Sequence, residues 1–266
     1  MHSHEHEHKY FSDIHADMAS QFFGMPHRVP DTEEITGLRN KLETSTEDYG
    51  IIMTLAESLS FQLRYREAIE LYDRALKIRP RSLDALQARA GRHFKTLQFG
   101  KSLDDYVACD RISPDDREII YRLGIVEYAV GINVEAESHF ARCFDMYTDD
   151  PEMLVASAFW LALAESRTKS GAGLWKTYDF SLSTPHHAGY NDGLRVLAGI
   201  DSAEETYEKW REHEDKLQAS IALYALVIHY RNEGDKKREG EIYSELMTTD
   251  EYWAGITYVA AFAERM

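Results

Sequence analysis

The sequence predicts an all-α fold built from stacked helical hairpins. Three observations predict it: small and aromatic residues recur in columns 34 positions apart, prolines keep the same step, and chain breakers are scarce. Ala56, Ala90 and Gly124 form one column, Ala68, Ser102 and Ala136 a second, Tyr72, Tyr106 and Phe140 a third, and Ala75, Cys109 and Cys143 a fourth. Pro80 and Pro114 follow the same spacing. Each unit thus has a small residue inside a first helix and another opening a second. An aromatic follows four positions later, then a further small residue, and in the first two units a closing proline. Small side chains let antiparallel helices approach closely, the aromatic fills the gap between units, and proline forbids continuation of the helix. Only 15 glycines and 6 prolines occur in 266 residues.

Residues 49–148 carry three such units, and their wording resembles the tetratricopeptide repeat (TPR) family. The first unit ends Ala68-Ile-Glu-Leu-Tyr72-Asp-Arg-Ala75-Leu-Lys-Ile-Arg-Pro80, close to the family's usual pattern. The third departs from it, with Thr148 in the proline place and Pro151 three residues on. The resemblance implies a TPR helical solenoid.

Taken in order, residues 1–45 form a His-rich arm and N-terminal capping helices. Phe11, Ile14, Met18 and Phe22 give residues 10–23 an amphipathic pattern, and Asp31-Thr-Glu-Glu34 opens a second helix after Pro30. Open solenoid ends need such caps. Residues 46–150 hold the three units. Residues 151–200 read as a degenerate fourth unit, whose first helix carries Leu154, Ala158, Leu161 and Ala162. Ser170-Gly-Ala-Gly173 obscures its second helix, and the turn formers of Ser181 to Asp192 predict a loop or crossover. Residues 201–266 read as helical again. Ser202 and Glu205 form a capping box for a short helix to about His213. Lys216 to Asn232 and Lys236 to Met247 make a TPR-like hairpin around Gly234-Asp235, and a closing helix runs from about Tyr252 to Arg265.

This order of parts, with the stretch Leu197-Ala-Gly199-Ile-Asp-Ser202-Ala-Glu-Glu205, resembles bacterial TPR proteins of the NlpI lipoprotein type. That resemblance implies a non-catalytic adaptor, often dimeric. The lipid-modified cysteine of that type has no counterpart, since no cysteine precedes Cys109.

Composition narrows the function further. Thirty basic against 46 acidic residues give a net charge of −16, which repels phosphate backbones and anionic membrane surfaces. The expected partner is a protein or peptide, with a homodimer as a further expectation. No apolar run approaches the ~18 residues that cross a bilayer. The start Met-His-Ser-His-Glu-His-Glu-His-Lys lacks the regions of a secretory signal, so a cytoplasmic location is expected. Two cysteines demand no oxidising compartment, and both occupy a column that wants small apolar side chains.

No GxSxG, GxxxxGK[ST], HExxH or CxxC motif occurs, so no catalysis is expected. Two other features offer binding chemistry. His2, His4, His6 and His8 alternate with Ser3, Glu5 and Glu7 and would take Zn, Ni or Cu, either as an incidental arm, a purification tag or a working metal sensor. His186-His187, near Tyr190 and Asp192, could line a site in the expected loop, although no third ligand accompanies them. The TPR resemblance implies a partner groove lined by the first helix of each unit. By register it presents Met53, Glu57 and Phe61, then Gln87, Gly91, Phe94 and Lys95, then Tyr121, Arg122, Ile125 and Tyr128, and then Val155 and Phe159. Protein interfaces concentrate aromatic, Met and Arg residues, which suits this column to a peptide or helix. Packing of the C-terminal helices into the groove is the alternative. The family's clamp for a terminal carboxylate is absent, with Met53 and Glu57 in its places.

Overall fold

A computed structural model describes residues 15–248 and 252–266, and every regular element among them is helical. The chain divides into two compact units, Met1–Pro114 and Asp115–Met266.

In the first unit, α1 (Met18–Phe23) and α2 (Glu33–Thr44) precede the hairpins α3 (Tyr49–Phe61)/α4 (Tyr65–Ile78) and α5 (Leu83–Lys95)/α6 (Phe99–Ile112). Local chemistry explains where the helices begin. Asp17, Thr32, Asp48 and Ser82 each turn a side-chain oxygen onto a backbone N–H of the following first turn. The two leading helices are tied to the first hairpin by arginines. Arg66 donates to the carbonyls of Gln21 and Phe22 at 2.8 and 2.9 Å. Buried Arg64 reaches Asp31 at 2.5 Å and Glu67 at 2.7 Å, which draws the segment before α2 onto α4.

The second unit holds α7 (Arg117–Ala129), α8 (Asn133–Met146) and α9 (Pro151–Thr168). It continues with α10 (Ala188–Leu197), α11 (Ala203–Trp210), α12 (Lys216–Glu233), α13 (Lys236–Thr248) and α14 (Ile256–Ala263). Pro151 sits in the first turn of α9, where its missing N–H costs nothing, and Asp150 caps that helix.

All twelve residues of the four columns are buried. At Gly124 an added Cβ would lie 3.0 Å from the ring of Phe140, which favours glycine at that position. The hairpin turns keep the 34-residue step as well. Leu63, Leu97 and Gly131 all adopt the left-handed conformation, at φ of 57°, 59° and 80°. Leucine pays for that conformation and glycine does not.

Three expectations need correction. Residues 181–192 are not a continuous loop, because a short 3-10 turn at Pro185–His187 leads directly into α10. Gly189 and Gly193 belong to that helix, where they allow close packing. A Cβ on Gly189 would lie 2.2 Å from the Gln218 carbonyl oxygen, and one on Gly193 2.7 Å from the Ala225 Cβ. After α9 the chain does not turn directly into a second helix; the next α-helix is α10, which packs on α9. Glu165 accepts from the Gly173 N–H at 2.9 Å and the Trp175 indole at 3.1 Å, folding the chain back through a 3-10 turn at Leu174–Thr177. The closing helix is shorter than expected, beginning at Ile256. Of the amphipathic stretch 10–23, residues 10–14 lie outside the described residues and α1 covers Met18–Phe23.

Candidate partner-binding face

The two units treat their first-helix faces in opposite ways. In the first unit the column is partly open to solvent. Phe61, at the end of α3, is 83% exposed, Glu57 one turn earlier is exposed, and Met53 is half-buried. On α5, Gln87, Gly91 and Lys95 are half-buried, and Phe94 turns inward to pack edge-on against Phe99 with ring centres 5.5 Å apart. The two helices are joined at their starts, where the Tyr49 hydroxyl meets the Ser82 hydroxyl at 2.6 Å and Arg79 lies over the Tyr49 ring at 4.0 Å.

In the second unit the same column is filled from within. Tyr121, Ile125, Tyr128, Val155 and Phe159 are all buried, so Tyr121, Tyr128 and Phe159 are covered by the chain itself and not presented to a partner as the register alone suggests. α10, α12 and α14 cover them. Phe159 packs edge-on against Tyr190 with ring centres 5.0 Å apart. Arg122 alone of this set stays partly accessible, 3.7 Å from Glu118.

A buried polar network closes the far end of this face. Arg167 of α9 lies 3.4 Å over the Tyr128 ring and donates to the Tyr128 carbonyl at 2.5 Å. Its other terminal nitrogen donates to Glu264, just past α14, at 2.5 Å. The Tyr224 hydroxyl donates to the same Glu264 oxygen at 2.6 Å and meets the Tyr128 hydroxyl at 3.0 Å. Arg231 donates to the second Glu264 oxygen at 2.9 Å and to Glu239 at 2.8 Å. Burial works against the Glu264 charge, yet Arg231, Tyr224 and Arg167 together hold its carboxyl below the usual range. Burial pushes the Tyr128 hydroxyl up to about 12.

The remaining candidates serve the fold. His187 meets Glu152 at 2.8 Å, the His186 N–H donates to the same carboxylate, and Gln218 donates to the His186 carbonyl. The pair thus anchors the start of α10. Cys109 and Cys143 are buried and not joined in a disulfide. His2, His4, His6 and His8 lie outside the described residues. Among the described residues no cluster of three or more His, Cys, Asp or Glu side chains is arranged to hold a metal ion.

A tetratricopeptide repeat protein from Parabacteroides merdae superposes over 85% of this chain and 90% of its own, with a TM-score of 0.53 at 14% identity. The chain has a TPR fold. YrrB, described as a TPR protein with an unusual peptide-binding site, aligns over 87% of this chain and 100% of its own, with a TM-score of 0.47 at 13% identity. No protein-family model matches the sequence, and no curated protein does. No helix among the described residues is long and apolar enough to cross a membrane.

Proposed function

We propose that this TPR chain is a non-catalytic scaffold that binds a protein or peptide partner on the first-helix face of its first unit. The observation that carries the reading is Phe61. A phenylalanine 83% exposed forfeits the burial that normally stabilises it, and it sits in the column where the register places partner contacts. Met53 adds apolar surface, while Glu57, Gln87 and Lys95 supply a polar rim. Such an aromatic anchor within adaptable polar groups is how protein interfaces concentrate their energy. The equivalent column of the second unit is occupied by the chain itself, which leaves α3 and α5 to meet the partner.

The test compares the full chain with a Phe61→Asp variant in affinity capture, then measures the recovered protein directly against both by calorimetry. Phe61 is solvent-exposed, so the melting temperature should not move while affinity falls about tenfold or more. Equal affinity of both chains for the recovered partner would place the binding surface elsewhere.

A further inference from the structure

We propose that α14 is an exchangeable plug, and that the groove it fills between α7, α12 and α13, with Arg167 of α9 at its end, recognises a partner helix of the same chemistry: small apolar residues beside one tyrosine, followed one turn later by a carboxylate. This surface lies in the second unit and is additional to the face around Phe61.

What the groove recognises can be read from what occupies it. α14 buries Thr257, Tyr258, Val259, Ala260 and Ala261 against its neighbours, and the Tyr258 hydroxyl donates to the Met247 carbonyl at 3.2 Å, so the groove takes small apolar residues beside one aromatic ring. Glu264, four residues after Ala260, delivers the charge. Arg167 contacts the Tyr128 carbonyl, the Asn133 side chain and the Tyr224 hydroxyl, all neutral, and Glu264 is the carboxylate it meets. Arg231 retains Glu239 when Glu264 is removed, but Arg167 retains no anion. A mostly buried guanidinium without a counter-charge is costly, so an open groove selects a helix that brings a carboxylate to the same point.

The features of α14 also suit it to exchange. It has eight residues, well below the length at which an isolated helix is stable, and its N-cap Gly255 supplies no side-chain bond. Its charged contacts select geometry more than they add net stability, because burying both charges offsets much of their attraction. A helix held this way is specific without being permanently locked.

The experiment uses the full chain, a Glu264→Ala variant, and a fluorescent peptide of residues 252–266. In the wild-type chain, native hydrogen exchange should release α14 amides before those of α7, α9 and α12. The peptide should bind the Glu264→Ala chain saturably, and about tenfold or more tightly than it binds wild type. Loss of the carboxylate from the peptide should weaken binding about tenfold. Glu264→Gln, which keeps the side-chain shape, serves as a second variant if alanine prevents folding. Exchange of α14 together with α7 and α12 would overturn the proposal, as would equal binding of peptides with and without the carboxylate. A concentration-dependent dimer of the variant would assign the groove to a second copy of this chain and overturn its assignment to another protein.

Discussion

Cys143 shows how a side chain with reactive chemistry is assigned to packing. It lies in the column of Ala75 and Cys109, its thiol sits 3.8 Å from the Arg117 carbonyl, and burial pushes that thiol up to about 12. The thiolate is the nucleophile, so almost none is present near neutral pH. We expect neither cysteine to react with a disulfide reagent in the native chain and both to react at once in denaturant; a fast native thiol would refute this packing. His93 carries a second residue-scale prediction. It is 3% exposed, and burial lowers its pKa despite the Asp105 charge nearby. The folded state therefore favours neutral imidazole. Its contribution is fully present above the unfolded value near ~6.5 and is lost as pH falls toward the lower folded value. His15 is shifted in the same direction by burial, so the His93→Gln chain should keep part of the acid sensitivity. Its urea midpoint should fall less between pH 7 and pH 5 than that of wild type. Equal losses would mean that His93 is solvated.

At the scale of elements, the sequence was legible wherever a pattern repeats and misleading where one residue type serves two purposes. The hairpins, their columns and the Ser202 cap of α11 follow from spacing and capping chemistry alone, and Ser202 accepts from the Glu205 N–H at 3.4 Å. α10 does not, because Gly189, Asn191, Asp192 and Gly193 have the composition of a turn. Glycine also permits close helix contact, and the difference depends on α12, which lies some thirty residues downstream. This distinction gives opposite signs to two similar substitutions. Intrinsic helix propensity favours alanine over glycine by about 1 kcal/mol at either position. Gly240, in α13, has nothing within 4 Å of an added Cβ, so Gly240→Ala should stabilise by up to about 1 kcal/mol. Gly189→Ala places its methyl against the Gln218 backbone and should destabilise by about 1–3 kcal/mol or more. Denaturant midpoints of the two variants decide the matter, and stabilisation by both would mean that α10 and α12 do not touch.

For the whole molecule, the candidate site was only half readable, and the reason is the range of the contacts. Register assigns the column residues, but whether they are covered depends on helices far away along the chain, as in the Tyr128–Tyr224 contact across 96 positions. The first unit is a neighbour-to-neighbour stack of hairpins, whereas in the second α14 returns to pack on α7. Trp160, Trp175, Trp210 and Trp253 all belong to the second unit, and no tryptophan lies in the first. Tryptophan fluorescence therefore reports the second unit, while far-ultraviolet circular dichroism reports both. Ala90 and Ala136 are fully buried in helix contacts, and leucine at either should overpack the contact at a cost of about 1–3 kcal/mol. In a repeat architecture that cost is felt mainly by neighbouring elements. Ala90→Leu should therefore shift part of the dichroism transition in urea and leave the fluorescence midpoint in place, whereas Ala136→Leu should lower the fluorescence midpoint. If Ala90→Leu moves both signals equally, the two units unfold as one and the division at Pro114 has no thermodynamic meaning.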